Sequence, residues 1–205
     1  VKTAPQPWQA IAQRFCSIGI CKEDIMAKND NAHSVRLVDS LERHIGYDTA
    51  REFEVNYPLS KNADIKKKYQ WANTICRYLE EHFDTDAIIC IRKECRCNDG
   101  KPIANKLLKY LNKADNIKEF VCLFNEKETF ACLEYISDNK IQFCYPECYY
   151  ACVKRVPQEL SKTWCYCTLG NAEGIFSNVF KTDVKVTLLE SIKTGADKCV
   201  IEVEW

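Results

Sequence analysis

Histidine is scarce, with three in 205 residues, at positions 33, 44 and 82. Few side chains therefore carry protons readily near neutral pH. The chain has no Gly-x-Ser-x-Gly elbow, no His-Glu-x-x-His pair and no Gly-x-x-x-x-Gly-Lys loop. The familiar serine-hydrolase, zinc-protease and phosphate-loop arrangements are excluded with them. No internal repeat or low-complexity linker divides the sequence. No run of about 18 apolar residues occurs, so no membrane-spanning helix is expected. The opening Val-Lys-Thr-Ala-Pro lacks the apolar core of an export signal, and the expected location is the cytoplasm. Lys plus Arg equals Asp plus Glu at 29 each. With no net field to draw nucleic acid or an acidic membrane, the expected partner is a small molecule, with a homodimer as a further option.

Cysteine is abundant, at 14 residues. In a reducing compartment such thiols stay free, and a single free thiol is usually buried as a small apolar group. Clusters call for a different explanation. Cys144, Cys148, Cys152, Cys165 and Cys167 fall in one stretch rich in aromatics, and Cys90, Cys95 and Cys97 lie upstream. Thiolates at i, i+4 and i+8 share a helical face, while Cys165 and Cys167 on a strand point to one side. Such sulfurs suit tetrahedral zinc or an iron–sulfur cluster. Pro146 lets a helix begin only after Cys144, which favours Cys148 and Cys152 as the helical pair. The competing chemistry is redox: Arg92, Lys93 and Arg96 surround Cys95-Arg-Cys97 and favour a thiolate there.

In chain order, periodicity and caps predict helices over 6–28, from Asn31 or Ser34 to about His44, from Asn62 or Asp64 to Glu81, over 103–111 behind Pro102, and over about 116–124. A connection is expected over 46–61, and the segment 86–97 is ambiguous between helix and buried strand. β-Branched and aromatic residues then predict a hairpin over 129–136 and 140–145, a strand over 163–168, a helix over 170–180, and strands over 184–192 and 199–204. The expected class is α+β: a helical part over 1–125, then an antiparallel sheet of about five strands with an inserted helix over 126–205, as one compact unit. Glu190 stands out as a proton carrier inside an apolar strand pattern.

Two resemblances attach to these motifs. Leu169-Gly-Asn-Ala-Glu-Gly-Ile-Phe and the run from Val184 through Glu190-Ser-Ile-Lys193-Thr-Gly195 to Cys199 resemble the end of vinyl-reductase-type sensor domains. The cysteine-rich middle, with Trp164-Cys-Tyr-Cys167, is similar to uncharacterised proteins near the L-2-amino-thiazoline-4-carboxylic acid hydrolase family. The sensor resemblance implies a metal held at Cys165 or Cys167, Glu190, the position of Lys193, and Cys199. Lys193 stands where a thiolate is expected, and a sulfur from Cys148 or Cys152 would replace it. The resulting metal set is Cys148, Cys152, Cys165, Cys167 and Cys199, with zinc expected and an iron–sulfur cluster as the alternative. The resemblance also implies a pocket between sheet and helices, for a small apolar or sulfur-containing molecule, walled by Trp164, Tyr166, Tyr149 and Phe176. As an enzyme, the chain would hydrolyse a thiazoline-like ring or a related C–S or C–N bond, with a metal or Cys165 and Cys167 as reacting centre and Glu190 moving protons. In a third reading the thiols are core only and the sheet offers a surface for association.

Overall fold

The computed structural model describes residues 29–150 and 153–205. The helix expected over 6–28 and Cys152 of the expected metal set lie outside the described residues.

Side-chain caps start most of the helices. Asn31 accepts from the His33 amide and opens α1 (Ala32–Ile45), which buries Leu37, Val38 and Leu41. Gly46, at φ +89, turns the chain straight into α2 (Tyr47–Asn56). A connection was expected there, because α2 buries only Ala50 and Phe53. Two inward residues in ten leave too thin an apolar stripe to read. Asp64 accepts from the Lys67 amide to start α3 (Ile65–His82), and Asp84 from the Ala87 amide to start α4 (Thr85–Glu94). The ambiguous segment is therefore a helix that ends before Cys95. Gly100, at φ +72, introduces α5 (Lys101–Leu111), with Pro102 in its first turn. Asn116 caps α6 (Ile117–Lys127).

The sheet has four antiparallel strands, β1 (Cys132–Ser137), β2 (Lys140–Tyr145), β3 (Lys185–Glu190) and β4 (Cys199–Glu204), in the order β1-β2-β4-β3. About five were expected, and the difference lies at 163–168. Those residues form α7 (Lys162–Cys165), capped by Ser161, and the start of α8 (Cys167–Phe180). Strand propensity there is overridden by packing. α8 presents Gly170 and Gly174, one turn apart, to the end of α4 and the segment after it: a β-carbon built on Gly170 would lie 1.9 Å from the Lys93 carbonyl oxygen. That approach requires a helix with glycine on the facing side.

Side-chain alternation sorts the sheet into two faces. Leu133, Phe143, Ile201 and Leu188 form one row across all four strands, and all are buried against the helices. The Phe143 ring meets Phe176 of α8 at 5.2 Å. The opposite face carries Cys132, Glu134 and Cys144, with Cys132 directly across from Cys144. Asn125 of α6 grips the edge strand, donating to the Leu133 carbonyl and accepting from its amide, both at 2.8 Å. The buried apolar residues from Leu37 to Val203 make one contiguous core.

Candidate functional site

Where the helical layer leaves the inner sheet face, a cavity of about 270 Å3 opens. Tyr145 and Leu188 come from the sheet, Thr168 and Asn171 from α8, and Ile103 from α5. Ser191 and Lys193 come from the 3₁₀ turn after β3 (Ile192–Thr194). The exposed residues Cys97, Asn98, Glu147 and Tyr149 form its mouth. Its floor is buried Cys165, Leu188, Ser191 and Lys193.

Among the described residues four thiols face this space: Cys97, Cys148, Cys165 and Cys199. Desolvation by the surrounding protein raises Cys97, at the mouth, and Cys148 above the ordinary thiol range, and burial pushes Cys165 up to about 12. These three are neutral, polarizable wall groups near pH 7. Cys165 Sγ lies 3.0 Å from Ser191 Oγ, and Cys199 Sγ accepts from the Ile192 amide at 3.4 Å. Lys193, at the floor, donates to the carbonyls of Val156 and Gln158. Among the described residues no carboxylate pairs with it, and an ammonium has three donors.

Behind the cavity lies a second polar group. Cys167 heads α8, its Sγ 3.0 Å from the Tyr150 hydroxyl and 3.4 Å from the Trp164 carbonyl. Arg92, buried, donates to the carbonyls of Thr163 at 3.3 Å and Trp164 at 2.9 Å, and its guanidinium sits 4.9 Å over the Trp164 ring. His33 also packs near that tryptophan, with ring centroids 6.1 Å apart. Burial first, then the charges of Arg36, Arg92 and Lys68, lower the His33 pKa from 6.5 to about 4. The folded value lies below the unfolded one, so the unfolded chain binds the extra proton between those values, and stability falls as pH drops from about 6.5 to about 4. Urea melts across that window are expected to show a smaller loss in His33→Asn than in the parent chain.

The structure distributes the expected site residues unevenly. Cys148, Cys165, Cys199 and Tyr149 reach the cavity. Cys167 lies beside it against Tyr150. Trp164 and Phe176 are fully buried core residues under Arg92 and Phe143, and Tyr166 packs at the edge of the core. Because 163–168 is helical, Cys165 and Cys167 do not share a side, as two strand residues would. Glu190 opens onto the other face of the sheet, in a cleft with Cys132 and Cys144, so it does not meet Cys165 or Cys199. Among the described residues, the ligand-type atoms that gather within 4.8 Å of one another are those of Cys132, Glu134 and Cys144. Sequence reasoning missed Cys132 and Glu134 and set Cys144 aside behind Pro146, and it missed Tyr145, Thr168, Leu188 and Ser191 in the cavity. For Cys132, Glu134, Cys144 and Tyr145 the signal is the inward and outward alternation along the hairpin, whose strands were placed from β-branched and aromatic content alone.

Comparison with known proteins adds a family. The model of the Family of unknown function (DUF6144) matches residues 26–204. No curated protein matches the chain. Solved H-NOX domains follow a similar path at low identity. The H-NOX protein from Shewanella oneidensis in the Fe(II)NO ligation state is 14% identical, covering 85% of this chain and 98% of that one at a TM-score of 0.41. The IWP-051-bound H-NOX from Shewanella woodyi is 15% identical, covering 84% and 92% at 0.40. An oxygen-binding H-NOX domain related to soluble guanylate cyclases is 13% identical, covering 83% and 91% at 0.37. At these scores the likeness carries neither a ligand nor an activity to this chain. Neither the family match nor these structures speak for the thiazoline-hydrolase or vinyl-reductase-type resemblance of the motifs.

Proposed function

This chain belongs to the Family of unknown function DUF6144, and we propose that it is a small-molecule-binding domain whose ligand occupies the thiol-walled cavity between the sheet and α8. The observation that carries this reading is the cavity itself, with its apolar walls and a few convergent polar groups on its floor. An apolar cavity of about 150 Å3 accepts benzene. A volume of about 270 Å3 suits two fused rings or one substituted ring. Neutral thiols and aromatic edges favour a polarizable, mostly apolar body. Lys193, with no carboxylate beside it among the described residues, favours an acceptor group on that body, such as a carboxylate or carbonyl.

2-Naphthoate is a suitable probe, since it combines both features and fluoresces. One site per chain is expected, and filling the space by Cys148→Trp or Thr168→Phe should weaken binding at least about tenfold. Neither position is part of the fully buried core. Wild-type affinity in both variants would overturn the reading.

Hydrolysis of a thiazoline-like ring by a metal or by Cys165 and Cys167, with Glu190 moving protons, has less support. Cys165 is held protonated by its burial, and Glu190 opens on the opposite side of the sheet. A general base must reach the proton it takes. Among the described residues, Cys148, Cys165, Cys167 and Cys199 do not gather their sulfurs within ligand distance of one another, so zinc or an iron–sulfur cluster on them would require a rearrangement.

A further inference from the structure

The outer face of the sheet offers a different use for cysteine, independent of the cavity. Cys132 and Glu134 stand two residues apart on β1 and so project to one side. The antiparallel register sets Cys144 of β2 directly opposite Cys132. Directly paired strand residues have β-carbons about 4.5–5.5 Å apart. The two sulfurs and a carboxylate oxygen thus lie within 4.8 Å of one another. Ligands around tetrahedral zinc, with bonds of about 2.3 Å to sulfur and about 2.0–2.2 Å to oxygen, stand roughly 3.5–3.8 Å apart. Rotamer adjustments of about 1 Å close that difference without moving the strands.

The surroundings suit an ion as well. Cys144 is fully buried, Cys132 is partly so, and Glu134 is half-exposed, with its Oε1 2.5 Å from Lys198 Nζ. Cys144 Sγ lies 3.6 Å from the same oxygen. Lys198 fixes the carboxylate beside the thiols, as hydrogen-bonded outer groups do for metal-ligating carboxylates. Cys132, Cys144 and Lys198 line a cleft of about 470 Å3, together with Glu190, Gly195 and Asp197.

We propose that Cys132, Glu134 and Cys144 form a binding site for a zinc-type divalent cation on the outer face of the sheet, with its fourth position open to the cleft. Two thiolates select a borderline or soft metal over calcium or magnesium. Three protein ligands leave a coordination position for water or an added molecule, as in catalytic rather than closed structural zinc sites.

Cobalt(II) reports the ligands directly, because thiolate coordination gives an intense charge-transfer absorption. The full chain, reduced with a phosphine and stripped of metal, is titrated with Co2+. One equivalent is expected to bind with that band and with the visible absorption of tetrahedral cobalt. Cys132→Ser should lose about half of the charge-transfer intensity and at least about tenfold in affinity. Glu134→Gln should bind at least about tenfold more weakly with the intensity per bound ion retained, and Cys122→Ser, at an exposed thiol, should titrate like the parent. Both altered positions are only partly buried, and circular dichroism verifies that the variants are folded. Binding without a charge-transfer band, no binding, or unchanged titrations of Cys132→Ser and Glu134→Gln would each overturn the site.

Discussion

Gly170→Ala is expected to lower folding stability by about 3 kcal/mol or more, which urea denaturation will read as a shifted midpoint. A methyl group there would sit 1.9 Å from the Lys93 carbonyl oxygen and 2.7 Å from its carbon. Overpacking typically costs about 1–3 kcal/mol when side chains can adjust. Here the obstacle is backbone, so α8 or the end of α4 must move as a unit. Gly174→Ala is the milder comparison: its new methyl would meet the Arg96 Nη1 at 2.9 Å, and that side chain can swing away, though the Asp99 carbonyl oxygen at 3.1 Å is tight. Thr168 and Asn171 line the cavity from the same helix, so probe binding should weaken in Gly170→Ala more than in Gly174→Ala. An unchanged midpoint for Gly170→Ala would contradict the packing of α8 on α4.

Arg92→Ala is the second large effect, expected to cost about 3 kcal/mol. Arg92 is 3% exposed, and among the described residues no carboxylate pairs with it. What holds it are the carbonyls of Thr163 and Trp164 and the face of the Trp164 ring. Its removal leaves a void and takes a donor from two carbonyls, of which Trp164 keeps the Cys167 thiol; an orphaned buried group costs about 1–3 kcal/mol, and a desolvated cation–π contact about 2 kcal/mol. Relief from burying a charge offsets part of the sum. Arg92→Met separates the contributions: it refills the space without restoring the hydrogen bonds and should cost about half as much. Equal losses for the two variants would mean that packing plays no part, and no loss in either would contradict the role of Arg92 in tying α4 to α7.

Legibility in the sequence followed the strength of local signals. Asp64 and Asn116 cap the helices expected behind them, and the hairpin turn fell between the two apolar runs that became β1 and β2. α2 was invisible because it buries two side chains. The Trp-Cys-Tyr-Cys run misled because its residues favour strands in isolation, whereas Ser161 caps a helix there and Gly170 seats its continuation against α4. That one error turned Cys165 and Cys167 from neighbours on one face into residues about 200° apart around a helical path. One looks toward Ser191 and the other toward Tyr150. The abundance of thiols was legible; their grouping was not, because it depends on strand register and on how helices cover the sheet. A two-residue turn at 138–139 pairs Ser137 with Lys140 and would by itself set Cys132 against Tyr145; the irregularity between Tyr135 and Ser137 shifts the register by one and sets Cys132 against Cys144 instead.

The central claim is that the inner cavity holds a small molecule. Its most direct test is an NMR titration of the full chain with 2-naphthoate, observing methyl and aromatic resonances. Saturable shifts at Ile103, Leu188 and Tyr145, which line the cavity, are the expected result. Shifts confined to the separate surface cleft around Pro58 and Trp71, or none at all, would contradict it.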